Sequence, residues 1–495
     1  MLKNKVYKIF YYCLFLVSII GCDSYLSELP DNRTIIDSPE KVSALITGAY
    51  SNANYMLMAE LMSDNVEHKN NTNGEQQLDT EMYYWEDSSL EGQDSPNFFW
   101  EGSYKAIAQA NEALAAIKTL GETNLKAQKG EALLARAYAH FMLVNFWAKH
   151  YNANTANSDL GIPYVLEPET TLIKEYKRNT VQEVYDLIEK DLKEGLSLVQ
   201  NNYKQPKFHF TKEAGYAFAA RFYTYKGDWD NVIKYASKVI SNPSNSNEIR
   251  NDLGYRSLTY DQTLNIYSNY TENTNLLVSS TSSWWARRFA GSRYGLSADK
   301  ATELFFGGAG NPFRKSWAYR VFGNDNVYNL PKINEYFKIT NQSAGTGFGF
   351  VQIILFDKDE ILLNRAEAYA MKEDYASSLN DLNVFIANKT RSHDPSTDIL
   401  DEALIETRYP SISDEFTPFY SLNNKQTSFI KAIAEFKRRD YYHEGLRWFD
   451  VKRFALKIEH KVQDEATLVL EKNDNRKLLQ IPGIAIARGI TPNPR

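Results

Sequence analysis

One helical motif occurs at two distant places in the chain. Residues 220–229 align without gaps on residues 366–375, and residues 135–138 begin in the same way. In each full copy, a small residue is followed by an aromatic residue three positions later and by another six positions after that. A small residue lets a second helix approach closely, and aromatic residues fill the groove between neighbouring pairs. The motif therefore predicts a scaffold of stacked helix pairs.

This spacing is typical of tetratricopeptide repeats. We predict a mainly α protein in which tetratricopeptide-like helix pairs carry long loop-rich insertions and a few short strands. A Ser-Pro start and a Thr-x-x-Glu capping box mark two of the predicted helix beginnings, at Ser38 and Thr180. Helical periodicity predicts helices at residues 38–50, 104–120, 129–148 and 180–199.

Three polar stretches interrupt the helices, at residues 64–97, 241–329 and 391–427. Loops of this length are uncommon in compact domains unless they bind something. A short strand is predicted within the second stretch, at residues 275–280. We divide the mature chain into a helical region at residues 22–240 and a second region at residues 241–495, which carries ligand-facing loops and closing helices.

The N-terminus predicts export. Three lysines precede an apolar run at residues 9–20 that is too short to span a bilayer, which is typical of a signal peptide at residues 1–21. The run ends in Gly21-Cys22, and this ending resembles the lipobox of bacterial lipoproteins, in which Cys22 would be acylated. Two or three acyl chains anchor a protein firmly to a membrane. The only other cysteine is Cys13 in the run, so no disulfide is predicted.

Composition argues against several functions. The net charge is −6 and the 56 Lys and Arg are dispersed, so no nucleic-acid partner is predicted. The seven histidines lack the i, i+4 spacing of a zinc helix, and the glycine-rich run at residues 345–349 lacks the context of a phosphate loop. We predict no metal, no cofactor and no catalytic residue, although paired carboxylates among 62 Asp and Glu keep glycoside hydrolysis open.

Aromatic residues make up 14% of the chain, and several fall in the polar stretches. Sugars present apolar C–H faces and hydroxyl rims, so a sugar site needs aromatic planes beside amide, carboxylate or guanidinium groups. Because two adjacent tryptophans cannot easily both face inward, at least one of Trp284 and Trp285 is predicted to be exposed. The candidate ligand-binding residues are Asp64, Asn65, Tyr83, Tyr84, Trp85, Trp284, Trp285, Arg287, Tyr294, Trp317 and Tyr328.

The segment at residues 438–453 crowds carboxylates and cations together, as an active site would. On a single helix, Glu444, Arg447 and Asp450 would lie on one face at i, i+3 spacing. An arginine between two carboxylates keeps both ionised and makes a poor general acid. We therefore predict a structural ladder of salt bridges here.

Several segments together resemble the SusD/RagB family of Bacteroidota outer-membrane lipoproteins. The start at residues 22–30, the helices at residues 99–111 and 129–147, and above all the segment at residues 438–453 carry the likeness. One departure is Lys437, where the family usually has Glu.

The resemblance implies an outer-membrane, lipid-anchored protein, expected on the cell surface, that binds an oligosaccharide and passes it to a SusC-like TonB-dependent transporter. Peptide binding in the manner of RagB is an alternative, and a surface glycoside hydrolase is a further one. A purely structural or adhesive role also fits a tetratricopeptide scaffold.

Overall fold

A computed structural model describes residues 36–69, 76–169, 174–242, 248–324 and 327–495. The predicted signal peptide and Cys22 lie outside the described residues. The α-helices are α1 (Pro39–Ile46), α2 (Met56–Met62), α3 (Gln77–Tyr83), α4 (Pro96–Leu120), α5 (Lys126–Trp147), α6 (Val181–Leu198), α7 (Lys212–Lys226), α8 (Trp229–Val239), α9 (Asp252–Tyr255), α10 (Tyr260–Tyr267), α11 (Trp285–Gly291), α12 (Ala298–Leu304), α13 (Lys358–Met371), α14 (Tyr375–Lys389), α15 (Glu402–Arg408), α16 (Asn424–Asp440), α17 (Arg447–Arg453) and α18 (Gly483–Ala487).

Strands and single helical turns connect these helices. The strands are β1 (Glu67–His68), β2 (Asn275–Ser282), β3 (Tyr294–Gly295), β4 (Phe322–Asn324), β5 (Val327–Asn329), β6 (Glu335–Asn341), β7 (Thr346–Asp357), β8 (Ile458–His460) and β9 (Leu468–Leu470). The 3-10 turns are Thr47–Ala49, Glu122–Asn124, Pro206–Phe208 and Asn475–Lys477.

The predicted helix pairs are confirmed. Helix α5 packs against α4 and α6, α7 packs against α8, and α13 packs against α14. The two full copies of the motif lie next to each other in space, because α8 also packs against α13. Helix α6 begins with the predicted capping box, in which the Thr180 hydroxyl accepts the Glu183 N–H and the Glu183 carboxylate accepts the Thr180 N–H. The fold is therefore mainly α, with short strands between the helix pairs.

A buried arginine joins the two helices within two of these pairs. Arg136 of α5 binds both carboxylate oxygens of Asp191 in α6, at 2.7 and 2.8 Å. Arg365 of α13 binds both oxygens of Asp381 in α14, each at 2.8 Å. All four residues are buried, and a bidentate guanidinium–carboxylate pair fixes both distance and rotation. The sequence motif did not predict these pairs.

The main sheet has the order β2-β7-β6 and is antiparallel. Strand β2 confirms the prediction at residues 275–280. Residues 345–349 lie in the hairpin between β6 and β7 and at the start of β7, which agrees with the argument against a phosphate loop. Strand β6 is the edge of this sheet, and it is largely exposed from Tyr336 onward. The hairpin of β6 and β7 therefore projects from the helical scaffold.

The segment at residues 438–453 is built differently from the prediction of one helical ladder. Helix α16 ends at Asp440 and a turn separates it from α17, so Glu444 lies outside both helices. Its partner is Lys332, at 2.8 Å, whereas Arg447 binds Asp64 through both nitrogens Nε and Nη2. The predicted ladder is wrong, because the turn points these charges toward different parts of the chain. The segment forms buried ion pairs with residues far away in the sequence.

A continuous hydrophobic cluster runs through both halves of the chain, from Ala49 to Ile490. Trp147 and Trp448 are fully buried in it, as expected for tryptophans inside helices. Among the described helices, none combines the length and apolar character needed to cross a bilayer.

The close contact between Gly130 of α5 and the C-terminal end of α6 gives the first prediction. A Cβ at Gly130 would lie 2.8 Å from the Val199 Cα and 2.9 Å from the Gly195 carbonyl oxygen, both of which are backbone atoms. Gly130→Ala should therefore lower the free energy of unfolding by about 2 kcal/mol, although alanine is intrinsically the better helix former. Denaturant unfolding measures the change. Gly291→Ala is the matched control, because nothing lies within 4 Å of its added Cβ. Equal stability of Gly130→Ala and the unmodified protein would contradict this packing.

Candidate functional site

The two aromatic-rich loops predicted from the sequence meet at Asp94. Its carboxylate accepts the Ser283 hydroxyl at 2.6 Å and the Trp284 backbone N–H at 2.7 Å. Asp94 is completely buried, and burial raises the pKa of its carboxyl to about 6. A buried carboxylate with two short hydrogen bonds fixes the backbone on which the Trp284 side chain is mounted.

Trp284 is the most exposed of the predicted tryptophans, with 43% of its surface open to solvent. It directly precedes α11, and the guanidinium of Arg287, one turn into that helix, lies 4.9 Å from the centre of its indole ring. Arg287 in turn binds both carboxylate oxygens of Glu335 on β6, at 2.7 and 2.8 Å from Nε. A flat ring, a cation and a carboxylate thus stand side by side at the surface.

The β6–β7 hairpin borders Trp284. The Gln93 amide donates to the Ser282 hydroxyl and to the Gly349 carbonyl oxygen, at 3.3 Å in the second case. A Cβ at Gly349 would lie 2.7 Å from Glu335 Oε1, so glycine is what lets that carboxylate lie against the strand. Phe337 on β6 is 61% exposed. We call Gln93, Trp284, Arg287, Glu335 and Phe337 the Trp284 surface.

Three other candidate aromatics lie in the interior. Tyr294, Tyr83, His460 and Trp85 stack in one column, with ring centres 4.1, 4.2 and 4.3 Å apart in that order. The Trp85 indole N–H also donates to the Met62 carbonyl oxygen at 2.8 Å. The expected surface position of Tyr83, Trp85 and Tyr294 is wrong, because the C-terminal strand β8 brings His460 between the rings and closes the column.

Asp64 and Asn65 are engaged by the C-terminal charged segment. Arg447 binds both carboxylate oxygens of Asp64, and Arg438 Nε donates to the Asn65 side-chain oxygen at 3.0 Å. Burial alone would raise the pKa of Asp64, but Arg438 and Arg447 hold it well below its usual range. Asn65 also donates to Glu60 and is completely buried. Asp64 and Asn65 therefore stabilise the polar stretch at residues 64–97 and do not face solvent freely.

The remaining candidates divide between interior and rim. Trp285 is buried and its indole donates to the His443 carbonyl oxygen at 2.8 Å, whereas Trp317 is buried and its indole donates to Ala309 at 2.7 Å. Tyr84 and Tyr328 are half-buried, and Tyr328 packs edge-on against Phe306. Of the two adjacent tryptophans, one is exposed and one is buried, as the sequence predicted.

The described residues contain one carboxylate cluster with the spacing of a metal site, formed by Asp252, Asp359 and Asp440. The Lys389 ammonium binds all three, at 2.6 Å from Asp359 and 3.1 Å from Asp440. The lysine supplies the positive charge that these buried acids need. The cluster therefore acts as a structural charge network between α9, α13, α14 and α16.

An open cleft of about 880 Å³ lies between the first turns of helix α4 and residues 482–490 near the C-terminus. Its lining contains aromatic side chains and charged side chains of both signs. The lining includes Ser89, Glu91, Asn97, Trp100, Glu101, Tyr104, Lys105, Tyr176 and Arg488. This cleft was not predicted from the sequence, because Trp100 and Tyr104 have the spacing of ordinary core residues on α4.

Comparison with known proteins supports the family likeness. The sequence model of a SusD-like family described as "Starch-binding associating with outer membrane" matches residues 24–224. A search of curated protein sequences finds no match.

Solved structures match over most of the chain. A SusD superfamily protein from Bacteroides thetaiotaomicron matches with a TM-score of 0.66 at 18% identity, covering 92% of this chain and 100% of that one. One from Bacteroides fragilis matches with a TM-score of 0.62 at 19% identity, covering 92% and 99%. A SusD-like carbohydrate binding protein from Bacteroides vulgatus matches with a TM-score of 0.61 at 14% identity, covering 91% and 96%. At these identities the likeness establishes the fold.

The interior position of Trp85 gives the second prediction. Trp85→Ala removes a large ring from the stacked column and leaves a cavity, so the free energy of unfolding should fall by about 3 kcal/mol or more. Trp284→Ala removes an exposed ring and should change it by less than about 1 kcal/mol. Denaturant unfolding of both variants makes the comparison. If Trp85→Ala has the same free energy of unfolding as the unmodified protein, Trp85 does not lie in a buried aromatic column.

Proposed function

We propose that this chain, which belongs to the SusD/RagB family, is a lipid-anchored surface protein that binds an extracellular oligosaccharide without converting it. The matched family is described as starch-binding and associated with the outer membrane. The observation that carries the proposal is the half-exposed Trp284 ring, held on a rigid backbone beside Arg287 and Glu335.

The Trp284 surface has the parts that sugar binding requires. The indole and the exposed Phe337 ring offer apolar planes for the C–H faces of sugar rings. Gln93, Arg287 and Glu335 offer amide, guanidinium and carboxylate groups for hydroxyls. Asp94 fixes the Trp284 backbone before a ligand arrives, so less conformational entropy is lost on binding.

Glu335 on this surface and the buried Asp94 beneath it are poorly placed for glycoside hydrolysis, which needs two available carboxyl groups on either side of the scissile bond. Both oxygens of Glu335 bind Arg287, and both oxygens of Asp94 accept hydrogen bonds within the protein interior. This arrangement supports a binding role over an enzymatic one.

Membrane attachment and the transport partner follow from the family likeness and from the N-terminal sequence. We propose that Cys22 carries the acyl chains, and that a SusC-like TonB-dependent transporter in the outer membrane receives the bound oligosaccharide. Residues 24–224, which match the family sequence model, begin two positions after this cysteine.

Peptide binding is the second candidate, and one observation favours it. Strand β6 is the exposed edge of its sheet, and its outer backbone groups face away from β7. An extended peptide can add to such an edge as a further strand.

The third prediction concerns Trp284. Trp284→Ala should weaken oligosaccharide binding about tenfold, because it removes the stacking plane. Isothermal calorimetry of the mature chain against a panel of neutral oligosaccharides and unstructured peptides measures the change. Ile412→Ala, at another exposed apolar side chain, should leave affinity unchanged.

Three outcomes would contradict the proposal. Unchanged oligosaccharide affinity in Trp284→Ala would show that the Trp284 ring is not part of the binding site. Binding of peptides alone would favour the β6 edge. Catalytic accumulation of new reducing ends during prolonged incubation would replace binding with hydrolysis.

A further inference from the structure

A second cleft, of about 640 Å³, lies between helix α4 and the β6–β7 hairpin. We call it the α4–β6 cleft. Lys105 and Gln109 line its helical side, Lys338 and Thr340 line its strand side, and His209 lies in the connection after α6. Its volume is in the range of known ligand sites. None of the candidate residues predicted from the sequence lies in it.

Glycines shape the helical wall of this cleft. A Cβ at Gly102 of α4 would lie 2.8 Å from the Ala53 Cβ, and a Cβ at Gly48 would lie 3.1 Å from the Gln109 side-chain oxygen. The segment at residues 47–52 therefore packs directly on α4. This contact places Gln109 at the cleft.

The lining of the α4–β6 cleft is positively charged. It contains Lys105 and Lys338, and its lining residues include no aspartate or glutamate, although the chain as a whole carries a net charge of −6. Neither lysine forms an ion pair with any residue in the described parts of the chain. A concave surface with charge of one sign concentrates ligands of the opposite sign.

A buried carboxylate lies behind the wall that carries His209. Glu131 is buried, and its Oε1 is 2.7 Å from His209 Nδ1 and accepts the Tyr50 hydroxyl at 2.7 Å. Its charge is thus directed at His209 and Tyr50 and away from the lysines on the other walls. The lysines remain available to a ligand.

The other lining groups suit a sugar. Asn52, Gln109, Ser280 and Thr340 offer amides and hydroxyls. Phe350 is buried, and the Lys338 ammonium lies 4.7 Å from its ring centre. A ligand with hydroxyls and a negative charge would therefore satisfy both the polar groups and the lysines.

We propose that the α4–β6 cleft binds a negatively charged saccharide unit, a uronate or a sulfated sugar, with Lys105 and Lys338 as its counter-ions. This inference rests on the proposed function, because it names the substrate class of a protein that binds oligosaccharides. The cleft is distinct from the Trp284 surface, since no residue lines both. Lys105 also borders the cleft of about 880 Å³.

Calorimetry of the mature chain with matched ligands tests the proposal. The ligands are an oligogalacturonate, a sulfated galacto-oligosaccharide and a neutral galacto-oligosaccharide of equal length. The double variant Lys105→Met with Lys338→Met should bind the anionic ligands about tenfold more weakly and the neutral one equally well. Lys118→Met is the matched control, because Lys118 is an exposed lysine on the same helix. Raising the salt concentration should weaken anionic binding in the unmodified protein far more than in the double variant.

The outcomes separate this inference from the proposed function. Loss of anionic binding in the double variant, with Lys118→Met unchanged, supports the cleft, and the uronate and sulfate ligands identify which group it takes. If the neutral oligosaccharide binds in a way that depends on Trp284, but the anionic ligands bind the double variant as tightly as the unmodified protein, the inference about the cleft is wrong and the proposed function stands. Failure of every saccharide to bind overturns both.

Discussion

The buried charges of the segment at residues 441–453 determine how the loops of this protein are arranged. Glu60 accepts the backbone N–H groups of His443 and Gly445, at 3.0 and 3.1 Å, and burial raises the pKa of its carboxyl to about 7. Arg447 binds Asp64 and Glu444 binds Lys332. Each of these groups would be costly to bury alone, so the loops can reach the interior only in the arrangement that pairs them. The turn between α16 and α17 thereby fixes the polar stretches at residues 64–97 and 241–329 relative to each other.

The exposed site depends on this arrangement. Trp285 donates to the His443 carbonyl oxygen within the same turn, which anchors the start of α11 in the interior. The preceding Trp284 stands at the surface, with Asp94 holding its backbone. This backbone is fixed because the neighbours Ser283 and Trp285 both form buried hydrogen bonds. Such preorganisation lowers the conformational entropy that is lost when a ligand binds.

The helix pairs could be predicted from the sequence because their signals are local. Small residues, aromatic spacing and capping residues at Ser38 and Thr180 act within one or two turns of the chain. The exposed member of the tryptophan pair was also foreseeable in part, since adjacent rings rarely share one interior. Local patterns were sufficient for the scaffold and for one feature of the site.

The interior aromatic column could not be predicted in this way. Tyr83 and Trp85 lie in a polar stretch, and the residue that joins them in the column, His460, comes from a strand more than 370 positions later. From the sequence alone, Asp64 likewise looks available to a ligand, but in the fold its carboxylate binds Arg447. Contacts between distant segments determine which polar and aromatic groups are buried. The spacing of residues in the sequence does not reveal those contacts.

Fluorine NMR of the mature chain labelled with 5-fluorotryptophan tests the central claim most directly. The eight tryptophans give eight resonances, and the resonance that disappears in Trp284→Phe is that of Trp284. On addition of a bound neutral oligosaccharide, the account predicts that the Trp284 resonance shifts while those of Trp85, Trp285 and Trp317 stay in place. A shift of the buried tryptophans with no change at Trp284 would contradict it.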